Sequence, residues 1–410
     1  MTALEEHLID DEHARRRLDS RDTLRSLATA GAQVRQGIRL AAEAGVGQLS
    51  TADRPRLILV AATGGTGIVG DALETLAGPT AAIPVVVRPD GPLPGWVGAL
   101  DLVVAVSQSG TAPGPLALAA EAGRRGASLL TIGAPDSPLA DICARSRGRH
   151  VDVPSDRTSS RTALWSMLTP LLVAADRLGL VDVSDACLLE VADRLDEAAT
   201  AYRPSSEAFV NPAKVLAADL ADRIPVFLAD GPLAGVAARR ATTMLSRTAR
   251  IPATWGELPS AAAAAVALLD GRFTDSGAAA CAARAGAALG DTDAGHAHDD
   301  PTDSIFRDPY LDGAPDPRLA MVLVRDAPAV AGETGAVRQG HSELADLVAE
   351  TARDAGVRVC EITAGRGHPV SRLADLIAMV DFTATYLAIG LGLDPSVSPH
   401  VARLRASSRQ

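Results

Sequence analysis

"TGGTGIVGD", residues 63–71, follows the apolar run "RLILVAA" (56–62) and precedes "ALETLAG" (72–78). Its core, Gly65-Thr66-Gly67-Ile68-Val69-Gly70, spells G-x-G-x-x-G at a strand-to-helix turn. Such a turn lets backbone approach a phosphate, and the helix behind it offers unpaired N–H groups and the positive end of its dipole. The hexapeptide does not distinguish a dinucleotide from another phosphate, so the surrounding elements have to.

Working outward, "AIPVVVRPD" (82–90), "LDLVVAVS" (100–107), "ASLLTIGA" (127–134) and "RHVDVPS" (149–155) read as further strands, with "GPLALAAEAGRRG" (114–126) as a helix between two of them. Strands alternating with helices of this length predict a parallel sheet covered on both faces. "RTALWSMLTPLLVAADRLGL" (161–180) closes the unit as a helix, its stripe Leu164, Met167, Leu168, Leu171 and Leu172 facing the core; Pro170 is expected to kink it. Upstream, residues 1–50 read as helical, with Leu24, Leu27, Val34, Ile38 and Ala41 near one face. Downstream, the pattern restarts after a helical stretch: strands at "IPVFLAD" (224–230), "LAMVLVRD" (319–326) and "VRVCEIT" (357–363), and helices at 231–249, 341–356 and 369–393.

The expected division is therefore an N-terminal helical segment (1–50), a first α/β unit (51–181), a helical connector (182–222), a second α/β unit (223–395) and a C-terminal tail (396–410). Two units of related plan point to a duplicated architecture, although the halves share little sequence. The polar segment "GDTDAGHAHDDPTDSIFRDPYLDGAPDPR" (290–318) reads as a loop.

Composition narrows the function classes. A chain of 410 residues with 47% apolar and 22% charged residues has enough material for two packed domains. A net charge of −11 with no standout basic tract argues against a nucleic-acid partner. Apolar runs such as "AAAAAVALL" (261–269) fall short of the roughly 20 residues of a membrane span. The acidic start "MTALEEHLIDDEHARRR" lacks the apolar region of a secretory signal, which makes the expected location cytoplasmic. Cys143, Cys187, Cys281 and Cys360 are scattered, without C-x-x-C, and read as reduced thiols rather than metal ligands or disulfides. Lys214 is the only lysine, so a Schiff-base mechanism would have to use it.

Two loops carry the candidate chemistry, because ligands of open parallel sheets bind beyond the carboxyl ends of the strands. One is Gly64-Gly65-Thr66-Gly67. The other is "VSQSGTAPGP" (106–115), which places Ser107, Ser109 and Thr111 around Gly110 ahead of a proline-opened helix. Helix capping alone explains one hydroxyl; the cluster suits a phosphate monoester. A dinucleotide would want an acidic residue ending the second strand, where Arg88 stands near "VVVRPD". Arg88 leaves NADP as a distant alternative, and the hydroxyl cluster favours a sugar phosphate.

These residues resemble a known family. "GGTGIVGDAL" (64–73), "LDLVVAVSQSGTAPGPLALAAEAGRRGASLLTIGAPDSPLADIC" (100–143), "VPSDRTSSRTALWSMLTPLL" (153–172), "RTARIPATWGELP" (247–259) and "TYLAIGLGLDPSVSPHVARLR" (385–405) are similar to segments of the SIS (sugar isomerase) domain family, in its bifunctional phosphoglucose/phosphomannose isomerase branch. The resemblance implies two SIS subdomains of flavodoxin-like topology, each a five-stranded parallel sheet between helices, in a homodimer acting on a hexose phosphate without metal or cofactor. It places Gly64, Gly65 and Thr66 in the site, Ser107 and Ser109 on the phosphate, and Arg161 at the family's active-site arginine. Thr111 stands one residue before the family's threonine position, which holds Ala112.

Aldose–ketose isomerisation through an enediol needs a carboxylate base, a group that opens the ring and a cation near the developing oxyanion. The family's glutamate, histidine and lysine fall on Arg247, Ala263 and Arg405. Glu257 is the candidate replacement base. His296 and His298 are further candidates, with a solvated acidic loop as their ordinary reading, and His368, which opens the closing helix, is a candidate to cap a site near the first unit. Trp165 and Trp255 read as core. A binding protein that senses a phosphosugar without turnover is the second functional class.

Overall fold

The structure, a computed structural model, describes residues 4–78, 81–154, 159–275, 277, 278, 280, 318–326 and 335–407. Four N-terminal helices, α1 (Glu6–Asp10), α2 (Glu12–Leu18), α3 (Thr23–Ala28) and α4 (Ala30–Glu43), lead into the first sheet. The expected apolar face is present, with Leu24, Leu27, Val34 and Ala41 buried and Ile38 packed against the core. Its residues are divided between α3 and α4.

The first sheet contains β1 (Ile58–Ala62), β2 (Val85–Arg88), β3 (Leu102–Ser107), β4 (Ser128–Gly133) and β5 (Arg149–Asp152), all parallel, in the order β2-β1-β3-β4-β5. Helices α5 (Ile68–Ala77), α6 (Pro113–Arg124) and α7 (Pro138–Arg145) make the crossovers. Every residue of the central strands β1 and β3 is buried, which explains why "ILVAA" and "LVVAVS" are uniformly apolar rather than alternating. Helix α8 (Leu164–Arg177) runs through Pro170 as one helix, and its leucine stripe is buried as expected. Gly37 of α4 lies so close to it that an added Cβ would come within 2.8 Å of Thr169.

Helices α9 (Asp185–Ala201) and α10 (Pro212–Leu220) lead to a second parallel sheet of β6 (Arg223–Ala229), β7 (Thr254–Glu257), β8 (Arg318–Arg325) and β9 (Arg358–Thr363), in the order β7-β6-β8-β9. Helix α11 (Pro232–Met244) follows β6 and continues into a π-helical turn, Leu245–Ala249; α12 (Ala262–Ala267) follows β7. The order repeats that of the first four strands. The duplication is thus visible in topology.

Two expectations are corrected. The second sheet has four strands among the described residues, not five. After β4 the chain makes a helix and then β5, whereas after β9 it enters the closing helix, Pro369–Gly390, almost at once. The segment between holds no helix and strand. In addition, β7 was not expected, because "TWGE" has no apolar run to announce it.

The closing helix also corrects the reading of membrane-length segments. It has 22 residues, and its 18-residue window with a mean hydropathy of 1.5 is long and apolar enough, by length and composition, to cross a membrane. Of that window 89% is instead buried inside the protein. Its charges are paired there: Asp381 with Arg240 at 2.6 Å and Asp375 with Arg194 at 2.9 Å. The two halves are joined by more than apolar packing, since Arg239 of α11 pairs with Asp71 of α5 at 2.8 Å. A last helix, Pro399–Ser407, occupies much of the expected tail.

Candidate functional site

Sheet order fixes where the two loops meet. β1 pairs with β3, with Ala62 opposite Val106, so the segments after these strands emerge side by side. The chain leaves β1 toward β2 on one side and β3 toward β4 on the other. That is the switch point where open sheets part their loops and leave a crevice.

In the first loop, residues 64–66 form a 3-10 turn. Gly64 has φ +61, a conformation that favours glycine, and open space where a side chain would be. A Cβ on Gly65 would lie 3.1 Å from Ser160 Oγ. The Thr66 hydroxyl donates to the Thr63 carbonyl at 2.9 Å, which leaves it able to accept from a ligand. Gly70 serves packing: a Cβ there would come within 2.9 Å of Val87 on β2.

The second loop gathers its hydroxyls. Ser107, at the end of β3, is buried and its Oγ accepts from Ala112 N at 3.3 Å. Ser109 Oγ and Thr111 Oγ1 lie 2.8 Å apart on the exposed side. The exchange of positions between Thr111 and Ala112 therefore still delivers a hydroxyl beside Ser109. Gly110 has φ +66, and an added Cβ would collide with Ser137. Pro113 opens the 12-residue α6, whose first N–H groups face the same loop end.

Arg161 belongs to the turn that carries Ser160 against Gly65. Its guanidinium is buried and donates to the Arg247 carbonyl at 2.7 Å and the Ser396 carbonyl at 2.8 Å. The Arg161 carbonyl accepts from Arg240, which is held in turn by both oxygens of Asp381. Burial pushes the Asp381 carboxyl up, and the guanidinium of Arg240 opposes the shift. Residues from the first half, the π-helical turn and the segment after the closing helix thus converge on one arginine.

Glu257 ends β7, opposite Ala229 of β6. Its carboxylate lies close to Gly235 of α11, where an added Cβ would sit 2.8 Å from Oε2. Burial raises its pKa above the ordinary value, and His341, on the helix Gly335–Asp354, opposes that. His341 and Ser160 were not anticipated. Ser160 had a weak signal in its place next to Arg161; His341 had none, because nothing in sequence links it to Glu257.

The other candidates resolve as follows. His368 caps the closing helix, accepting from Val370 N at 3.2 Å, and its other ring nitrogen lies 2.8 Å from the Asp182 carbonyl. Trp165 is core. Trp255 is not: it lies on the edge strand β7 and is 42% exposed, so the expectation of a core tryptophan is corrected. His296, His298, the acidic loop around them and Cys281 lie outside the described residues. Cys143, Cys187 and Cys360 are free thiols, and burial pushes Cys187 and Cys360 up to about 11, which keeps them protonated. No metal-binding group of His, Cys, Asp or Glu occurs among the described residues. Lys214 is 2% exposed and donates to Asp10, the Pro204 carbonyl and the Ser206 carbonyl, all within 2.9 Å, which makes it a structural tie.

With this geometry in view, residues 209–407 match the model of the bacterial phospho-glucose isomerase C-terminal SIS domain. The second half of the chain is thus similar to an SIS domain. A bifunctional phosphoglucose/phosphomannose isomerase of Caldicellulosiruptor bescii is 26% identical over 196 residues, which span 48% of this chain and 57% of that relative. Among solved structures, a hypothetical protein from Thermus thermophilus superposes with a TM-score of 0.63 at 16% identity, over 97% of this chain and 93% of the other. Tagatose-6-phosphate ketose/aldose isomerase from Escherichia coli gives a TM-score of 0.60 at 16% identity, over 91% and 93%. At such identities the structural likeness establishes the fold of both halves, an SIS-like α/β arrangement.

Proposed function

We propose that the chain binds a hexose phosphate of the glucose 6-phosphate or mannose 6-phosphate type in the crevice between the β1 and β3 loops. The supporting observation is the pairing of Ser109 and Thr111 hydroxyls beside a glycine turn, at the start of α6 and across from Gly64–Thr66. Neutral donors there match a phosphate monoester, and Arg161 supplies the cation at the edge of the same site. The reaction assigned to this site is aldose–ketose isomerisation through an enediol, with Glu257 as the proton-transferring carboxylate. Burial raises its pKa above the ordinary value, the direction that makes a carboxylate a stronger base. The proposed working form is a cytoplasmic homodimer, which needs neither metal nor organic cofactor.

A specific observation favours a second reading, binding without turnover. Arg247, Ala263 and Arg405 occupy the positions of the family's glutamate, histidine and lysine, and the Arg161 guanidinium is engaged by two main-chain carbonyls. Proton NMR in heavy water separates the two. Loss of the C2 proton of glucose 6-phosphate or mannose 6-phosphate on incubation with the protein supports isomerisation. Saturation transfer to the sugar with C2 intact supports the silent binder, and neither signal with either sugar overturns the proposal.

A further inference from the structure

On the side of the 159–162 turn toward the N-terminal helices lies a cavity of about 980 Å³, lined by α3, α4, this turn and Ser396. Its volume suits a small-molecule site. Its walls are polar, with hydroxyls from Ser26, Thr29, Ser159, Thr162, Ser166 and Ser396. No aromatic ring stands among the described residues that line it, so these offer nothing for a base to stack on. Arg21 and Arg25 bring two guanidinium groups to its rim against the single carboxylate of Asp22.

One buried side chain ties two walls of the cavity together. Gln33 is 6% exposed, and its Nε2 donates to the Thr162 carbonyl at 2.8 Å while its Oε1 accepts from Ser166 N and Oγ at 3.3 and 3.2 Å. Thr162 and Ser159 close the turn on each other through both main-chain and side-chain bonds. Ser26, Ser159 and Gln36 also line this region, together with the two arginines.

We propose that this cavity is a second ligand site, separate from the β1–β3 crevice, for a phosphorylated polyhydroxy molecule. The phosphate pairs with Arg21 and Arg25, and the polyol meets the hydroxyl and amide wall. Guanidinium forks suit phosphate oxygens, and a saturated carbon chain bearing hydroxyls suits a ring of Ser, Thr and Gln without aromatic partners.

The test is calorimetric titration of the full chain with glucose 6-phosphate as the probe, in the wild type, in Arg21→Gln/Arg25→Gln and in Ser107→Ala/Ser109→Ala. Both arginines are exposed, so their replacement leaves folding intact. The proposal expects two equivalents per chain in the wild type, one of them weakened at least about tenfold in the arginine variant and retained in the serine variant. A single equivalent lost with the arginines and kept without the serines upholds the cavity and sinks the crevice. A single equivalent lost only with the serines, or two that both ignore the arginine replacement, overturns the cavity and upholds the crevice. No binding overturns both.

Discussion

The guanidinium of Arg161 donates to the Arg247 carbonyl at 2.7 Å, joining the turn beside the glycine loop to the π-helical turn of the other half. Arg161 thus spans the two α/β units while standing next to the residue that faces Gly65. A position read from sequence as a ligand contact is also a tie between halves.

Replacing it separates those roles. Arg161→Ala leaves two main-chain carbonyls without their donor, and each such loss costs about 1–3 kcal/mol when no water replaces it. The expected result is a lowered urea midpoint together with hexose-phosphate affinity reduced at least about tenfold. Unchanged affinity in a folded variant would remove Arg161 from the site.

Asp381→Asn tests the support beneath that turn. Arg240 and Asp381 are a buried bidentate pair, their side chains 3% and 7% exposed. Breaking such a pair strands one charge and costs about 3–5 kcal/mol. Chemical denaturation should show this loss; less than about 1 kcal/mol would mean the pair adds little to the support of the turn.

Glu257 gives a pH prediction. Its pKa is raised in the folded protein, so the native state holds this proton more tightly than the unfolded chain does. Between the unfolded and folded values, stability therefore falls as pH rises, and Glu257→Gln should flatten that slope. If Glu257 is the base, the acid limb of the isomerisation profile lies above the ordinary carboxylate range and disappears in Glu257→Gln. A profile untouched by that change would assign the base elsewhere.

Lys214 should form no imine. It is the only lysine, it is buried, and its ammonium already donates to three oxygens. Borohydride added with a hexose phosphate should leave the intact mass unchanged. A gain of one sugar phosphate on Lys214 would refute the structural role.

The fold was largely legible because its central strands are buried on both faces. Uninterrupted runs such as "LVVAVS" announce a parallel strand, and the glycine and serine loops after β1 and β3 follow from where those strands end. β7 escaped because an edge strand of four residues with an exposed Trp255 needs no apolar run. That the second sheet shows four strands among the described residues was invisible to a resemblance, which carries a family's architecture over whole; the short passage from β9 into the closing helix, with no helix and strand between, reveals the difference. For the candidate site, local spacing singled out Gly64–Thr66 and Ser107–Thr111, whose loops emerge side by side from β1 and β3. Contacts that depend on three-dimensional folding were harder to read: Ser160 on Gly65 had only its place next to Arg161 as a signal, and His341 toward Glu257 had no local pattern to betray it.

The central claim is that the β1–β3 crevice holds a phosphate, and phosphorus NMR of glucose 6-phosphate tests it most directly. The account predicts that the sugar's phosphorus resonance broadens or shifts on adding wild-type protein, and that a measurable part of this response is lost with Ser107→Ala/Ser109→Ala. A resonance unaffected by the wild type, or a response identical in the two proteins, would contradict it.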